Sequence, residues 1–140
     1  MTEGALVADA ATVAEIADRV VGAYLGIAAG ERFAIVVDTK TDREIPDELV
    51  RATLERGGDP VVVTIAPRAR SGTEPPPPAA AAMAAADVVL CAASTSLYHT
   101  SAKAAAQHAG ARGVFNAPYR ADAWRNGAMT ADFVAVRRQA

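Results

Sequence analysis

The side chains of this sequence that are best suited to chemistry stand together in one octapeptide. It runs from Ser94 to Ser101, reads S-T-S-L-Y-H-T-S, and places several hydroxyl groups around the imidazole of His99. Histidine is the residue that most often gives or takes a proton in catalysis, so His99 is our candidate catalytic residue. A helix is predicted after the octapeptide, and the backbone N–H groups of its first turn have no partner within the helix. These groups could bind a ligand together with the octapeptide.

A structural interpretation of the same octapeptide stays open. Thr95 or Ser96 could cap the helix that follows, because threonine and serine are preferred N-cap residues, and His99 could pack on its first turn. Composition alone favours this interpretation. The two interpretations differ in whether the imidazole is free to meet a ligand.

We expect the other chemistry-bearing residues to be structural. Cys91 lies in an apolar run, where a free cysteine behaves as a small hydrophobic residue. His108 falls in the last turn of the helix after the octapeptide, where the helix dipole favours it, and its spacing from His99 is not one that chelates a metal. Asp38 and Lys40 follow a predicted strand without a supporting acidic pair. We therefore predict no metal site in this chain.

Known catalytic and nucleotide-binding motifs are missing. The sequence contains no H-E-x-x-H, no paired cysteines and no G-x-S-x-G. The loop that starts at Asp38 has no glycine, whereas loops that cradle phosphates need glycines for close backbone approach. The acid–base groups of a self-sufficient enzyme are therefore incomplete.

Composition argues against several classes of partner. The 140 residues carry a formal net charge of -2 and a pI of about 5.6, so nothing attracts the chain to nucleic acid or to an anionic membrane. The small-residue tract from Ala79 to Ala86 is much shorter than the roughly 20 apolar residues of a membrane span. A single cysteine and an N-terminus without a basic region predict a cytoplasmic location.

Four apolar runs predict the strands of a sheet. The run from Arg32 to Asp38 (R-F-A-I-V-V-D) does not alternate polar and apolar residues, as expected of a central parallel strand covered on both faces. The other runs extend from Val61 to Ile65, from Asp87 to Ala92 and from Arg112 to Phe115.

Helical patterns alternate with these strands. Thr12 and Glu15 form a capping box for a leading helix of about residues 12–29, which Gly30 would end. Further helices are predicted from Pro46 to Gly57, over Ala79 to Ala86, over Ala102 to Ala109, near Asp122 to Asn126 and over Ala131 to Arg138. The segment from Pro67 to Pro78 ends in four successive prolines, which we expect to stay outside any helix, in an extended surface loop.

Alternating strands and helices predict one α/β domain over residues 1–140. With right-handed crossovers, they form a three-layer α/β/α sandwich around a mostly parallel sheet of about four strands, Rossmann- or flavodoxin-like. Ligands of such folds bind beyond the carboxyl ends of the strands. The octapeptide follows the third strand and is therefore expected at that edge.

Five segments together resemble the N-terminal domain of one enzyme group. They are G-E-R-F-A-I-V-V-D from Gly30, A-D-V-V-L from Ala86, T-S-L-Y-H-T from Thr95, A-G-A-R from Ala109 and G-A-M-T-A-D from Gly127. The group joins thermophilic-type leucyl aminopeptidases with 2,5-dihydroxypyridine 5,6-dioxygenases, which are iron(II) enzymes that cleave an aromatic ring. The resemblance covers nearly all of the chain from about Thr12 onward.

The resemblance implies a cleft whose metal comes from elsewhere. In that group the metal ligands belong to a C-terminal domain, which we expect this chain to lack, so iron(II) or another divalent metal is expected in a partner domain or subunit. His99 would project into the shared cleft as an acid–base or substrate-binding residue. Leu97 would form an apolar wall of this cleft, and Thr95, Ser96 and Thr100 would contact the substrate.

Two functions of different classes follow. The chain is either the N-terminal substrate-cleft half of a metal-dependent enzyme or a non-catalytic binding or assembly module. The enzyme would be a ring-cleaving dioxygenase or, as an alternative, an aminopeptidase-type metallohydrolase. The expected partners are a metal-bearing domain or subunit, or further copies of this chain, together with a small-molecule substrate. The isolated chain is predicted to show no turnover and no stoichiometric iron or zinc.

Overall fold

Four parallel strands form the centre of the molecule. The computed structural model describes residues 11–127 and 129, and its strands are β1 (Arg32–Asp38), β2 (Asp59–Ile65), β3 (Val88–Cys91) and β4 (Arg112–Val114). Their order across the sheet is β2-β1-β3-β4, so β1 and β3 are central. Six of the seven β1 residues are buried, which confirms the prediction of a central strand covered on both faces.

Helices cover both faces of the sheet. They are α1 (Val13–Arg19), which continues as a π-helical segment (Val20–Tyr24), then α2 (Glu44–Glu55), α3 (Pro77–Ala85), α4 (Ser101–His108) and α5 (Ala121–Arg125). Buried side chains of α1, α2 and α5 share one core cluster, and those of α3 and α4 share the other. The three-layer α/β/α prediction is confirmed. No helix among the described residues is long and apolar enough to cross a membrane.

The leading helix is shorter than predicted. Its capping box is present, because the Glu15 N–H donates to the Thr12 hydroxyl at 3.1 Å and the Thr12 N–H donates to the Glu15 carboxylate at 2.9 Å. The helix ends at Tyr24, however, and not near residue 29. Gly26 adopts a φ of 58° two residues later, so the left-handed stop that we assigned to Gly30 is already supplied there.

Three prolines lie inside elements whose starts were placed too late. Pro46 is the third residue of α2, and Pro77 is the first of α3. Both positions tolerate proline because the first N–H groups of a helix have no partner within it. The expectation that all four successive prolines stay outside a helix is therefore wrong for Pro77 and Pro78. Pro60 belongs to β2, which is an edge strand of the sheet. Proline is tolerated in edge strands because the side of the strand that faces solvent needs no N–H group for pairing with another strand.

The two faces of the sheet are packed with side chains of different size. The cluster under α1, α2 and α5 contains Phe33, Leu49 and Trp124, whereas α3 and α4 contribute mostly alanines to the opposite cluster. Trp124 is fully buried and its indole N–H donates to the Pro118 carbonyl at 2.7 Å, so this tryptophan serves the packing of the core. The helix predicted over 131–138 lies outside the described residues.

Candidate functional site

The strand order places a topological switch point at the carboxyl edge of the sheet. From β1 the chain goes to β2 on one side and then returns to β3 on the other, so the order reverses between β1 and β3. Open α/β sheets bind ligands at such a switch point. The two loops that start there are the Asp38 loop (residues 38–43) and the octapeptide. The octapeptide therefore lies at the expected edge.

Asp38 ties these two loops together at this edge of the sheet. Its carboxylate accepts hydrogen bonds from the Ser94 hydroxyl at 2.6 Å and the Ser94 N–H at 2.7 Å, and from the Lys40 N–H at 2.9 Å. Burial by itself raises the pKa of Asp38, but these hydrogen bonds outweigh it and hold the pKa below its usual value. Asp38 is thus a buried, ionised group whose hydrogen bonds stabilise the loops, as the structural interpretation predicted.

Two octapeptide residues are used by the fold itself. Thr100 is the N-cap of α4: its hydroxyl accepts from the Lys103 N–H at 3.1 Å and donates to the Leu97 carbonyl at 2.7 Å. The idea that Thr95 or Ser96 caps this helix is therefore wrong. Leu97 is fully buried in the alanine-rich core cluster. Substrate contact by Leu97 or Thr100 stays a prediction, and this geometry adds nothing in its favour.

His99 is free of such structural work. It precedes the cap residue Thr100, so it lies just outside α4 and not on its first turn, and its side chain is exposed. The imidazole meets the Tyr98 ring edge-on with 5.0 Å between ring centroids, and no described residue forms a hydrogen bond with it. The imidazole is therefore accessible, and its acid–base role stays a prediction.

Thr95 and Ser96 differ sharply in how their hydroxyl groups are used. The Ser96 hydroxyl accepts from the Tyr98 N–H at 3.1 Å, so it shapes the octapeptide. The Thr95 hydroxyl oxygen is buried and has no hydrogen-bond partner among the described residues. Such a group costs free energy unless something outside the described part of the chain satisfies it. Their predicted role as substrate contacts stays a prediction.

The loop between β2 and α3 (residues 66–76, the β2–α3 loop) packs against the octapeptide. The Ser96 N–H donates to the Ser71 hydroxyl at 3.2 Å, and the Gly72 N–H donates to the Ser96 carbonyl at 3.1 Å. Glu74 accepts from the first two N–H groups of α4, those of Ser101 at 2.6 Å and Ala102 at 3.1 Å. Sequence reasoning predicted a surface loop here but missed its contacts with the octapeptide, because Glu74 caps a helix that begins 27 residues later.

Cys91 and His108 gain no support as reactive groups. Burial raises the pKa of the Cys91 thiol far above its usual value, so it is an inert core residue as expected. His108 lies in the last turn of α4. Within the described ranges, no three His, Cys, Asp or Glu side chains are grouped so that they could hold a metal ion.

Comparison with solved structures finds one informative likeness. The fold is similar to that of 2,5-dihydroxypyridine dioxygenase from Pseudomonas putida KT2440, with a TM-score of 0.63 and 13% sequence identity. The match covers 76% of this chain and 34% of the dioxygenase chain, so this chain spans about a third of that protein's length. No protein-family model and no curated protein matches the sequence. The likeness establishes the fold alone, and the aminopeptidase link stays a prediction.

Proposed function

We propose that this chain is the substrate-cleft half of a metal-dependent enzyme similar to 2,5-dihydroxypyridine dioxygenase, with His99 as its acid–base residue. Iron(II) or another divalent metal, bound by a partner domain or subunit, would supply the oxygen chemistry of ring cleavage. The described residues contain no group of three His, Cys, Asp or Glu side chains that could hold that metal, so the proposal assigns this chain binding and proton transfer.

The observation that carries the proposal is the exposed imidazole of His99 in the loop that follows β3. Leu97 and Thr100 are used by the core and the helix cap, whereas the imidazole has no hydrogen-bond partner among the described residues. An imidazole in that position could hold or take the proton of a ring hydroxyl, which is the change that a hydroxylated aromatic ring needs on the way to cleavage.

A titration with 2,5-dihydroxypyridine, followed by the ring resonances of the two histidines, tests the cleft role. His108 is a matched internal control, since it is also exposed and lies at the opposite end of α4. We expect the His99 resonances to shift and those of His108 to stay in place. His99→Asn should weaken binding, and His108→Asn should not. Equal shifts of both histidines, or no shift of either, would refute the cleft role.

Turnover tests the acid–base role once the metal-bearing partner is present. His99→Asn should lower kcat by about 10²- to 10⁴-fold, the usual contribution of a positioned acid or base, while His108→Asn leaves kcat unchanged. A leucyl anilide, tested in the same assembly, separates the metallohydrolase alternative from ring cleavage. Unchanged turnover of His99→Asn would instead favour the non-catalytic module.

A further inference from the structure

Arg68 in the β2–α3 loop lacks the partners that other arginines in similar surroundings have. Within residues 11–127, three arginines are half-buried: Arg51, Arg68 and Arg112. Arg51 binds the Glu48 carboxylate at 2.6 Å, and Arg112 binds that of Glu31 at 2.7 Å. Arg68 has no carboxylate of the described chain within 4.0 Å, and its buried Nε has no hydrogen-bond partner there.

Thr95 presents the same deficiency on the neighbouring loop. Its hydroxyl oxygen is the other buried side-chain atom of the described residues that lacks a hydrogen-bond partner. Residues on both sides of Thr95 are fixed: Ser94 is bonded to Asp38, and Ser96 is bonded to Ser71 and Gly72 of the β2–α3 loop. The octapeptide and the β2–α3 loop are therefore joined at Ser96, one residue after Thr95, and at Ser71, three residues after Arg68.

The unused groups match one ligand chemistry. The Nε–H and one terminal N–H of a guanidinium form a fork that receives both oxygens of a carboxylate. The threonine hydroxyl can donate a further hydrogen bond to the same anion. Both groups can donate hydrogen bonds to an anion. A buried donor without an acceptor costs free energy, and binding of an anion would remove that cost.

We infer that Arg68 and Thr95 form a binding site for the carboxylate of a small organic acid, between the β2–α3 loop and the octapeptide. The inference rests on the proposed function for the place of the cleft and adds the chemical class of a group that the ligand carries. It does not involve the imidazole of His99 or a metal. The neutral 2,5-dihydroxypyridine therefore tests the role of His99, and an organic anion tests the site at Arg68 and Thr95.

Benzoate and its neutral analogue benzamide provide the test on the intact chain, by NMR observation of the Arg68 Nε–H and the Thr95 backbone N–H. We expect benzoate to shift both resonances at saturation and benzamide to leave them in place. Inorganic phosphate serves as a third probe. Binding of phosphate more tightly than benzoate would overturn the assignment to a carboxylate, as would equal responses to benzoate and benzamide.

Substitutions distinguish the two-donor geometry of the Arg68 guanidinium from the effect of its positive charge. Arg68→Lys keeps the charge and removes the fork, so it should weaken benzoate binding about tenfold or more. Thr95→Val should weaken it by a smaller factor. Arg70→Lys, an exposed position in the same loop, is the matched control and should bind benzoate as the unmodified chain does. Unchanged affinity of Arg68→Lys, or an equal loss in Arg70→Lys, would overturn the inference.

Discussion

The two loops at the switch point of the sheet use their polar groups in opposite ways. In the Asp38 loop, the Asp38 carboxylate accepts from the Ser94 hydroxyl and the Asp42 carboxylate accepts from the first N–H group of α5. The Thr41 hydroxyl donates to the Ala92 carbonyl at 2.8 Å. In the octapeptide, the hydroxyl of Thr95 and the imidazole of His99 remain without hydrogen-bond partners in the described chain. Polar groups that lack a partner within the fold therefore indicate a candidate site better than the number of polar residues in a loop does.

The largest test of this contrast is Asp38→Ala. The substitution leaves the Ser94 hydroxyl and two backbone N–H groups without their acceptor in a buried place, so the free energy of unfolding should fall by about 3 kcal/mol. Urea denaturation measures the loss. Lys40→Ala, at an exposed neighbour, is the control and should change the free energy by less than about 0.5 kcal/mol. A loss below about 1 kcal/mol in Asp38→Ala would show that the loop is not held by this carboxylate.

Acid should weaken the same loop selectively. Because the pKa of Asp38 is lower in the folded chain than in the unfolded chain, its ionised form contributes stability above its unfolded value of about 3.9. That contribution is lost as the pH falls from there through the folded pKa. Unfolding measured between about pH 5 and pH 2 should show a smaller decline in Asp38→Asn than in the unmodified chain. Parallel declines would contradict the lowered pKa.

Much of the fold was predictable from the sequence because it depends on local patterns. The apolar run of β1 and the capping box of Thr12 and Glu15 both predicted their elements. The largest shifts of element bounds lie near prolines and glycines, such as Pro77 in α3 and Gly26 after the leading helix. At these positions several nearby residues could serve equally well, and tertiary packing decides among them.

The candidate site was only half predictable, since it is built from long-range contacts. The octapeptide was found because its hydroxyls and its imidazole are adjacent in sequence. Nothing local shows that Thr100 is the cap and Thr95 the unused hydroxyl, because both are threonines before the same helix. The contribution of the β2–α3 loop was missed, because Glu74 lies 27 residues before the first N–H group from which it accepts a hydrogen bond.

A smaller effect is expected within the octapeptide at its structural threonine. Thr100→Ala removes the N-cap of α4 and should lower the free energy of unfolding by about 1 kcal/mol. Thr100→Ser keeps the capping oxygen and should retain most of the stability. Thermal and urea denaturation of both variants check the difference. Equal losses in the two variants would mean that the methyl group of Thr100, and not its hydroxyl, matters.

The smallest effect, with the opposite sign, is expected at Thr95. Thr95→Val keeps the shape of the side chain and removes a buried hydroxyl that lacks a partner, so the ligand-free chain should gain up to about 1 kcal/mol. The same exchange at Thr100 should be destabilising, which makes it the matched comparison. A clear loss of stability in Thr95→Val would show that this hydroxyl is satisfied in solution and would remove the contrast between the two loops.

Glu74 also has a consequence for the order in which the chain folds. An eight-residue helix such as α4 is unstable by itself in water, and its first two N–H groups find their acceptor only when the β2–α3 loop is in place. We therefore expect the first turn of α4 to be stable only when the connection after β2 has closed. If these two crossovers fold as one cooperative unit, the amide protons of Ser101 and Ala102 should exchange with solvent at the rate at which the loop opens.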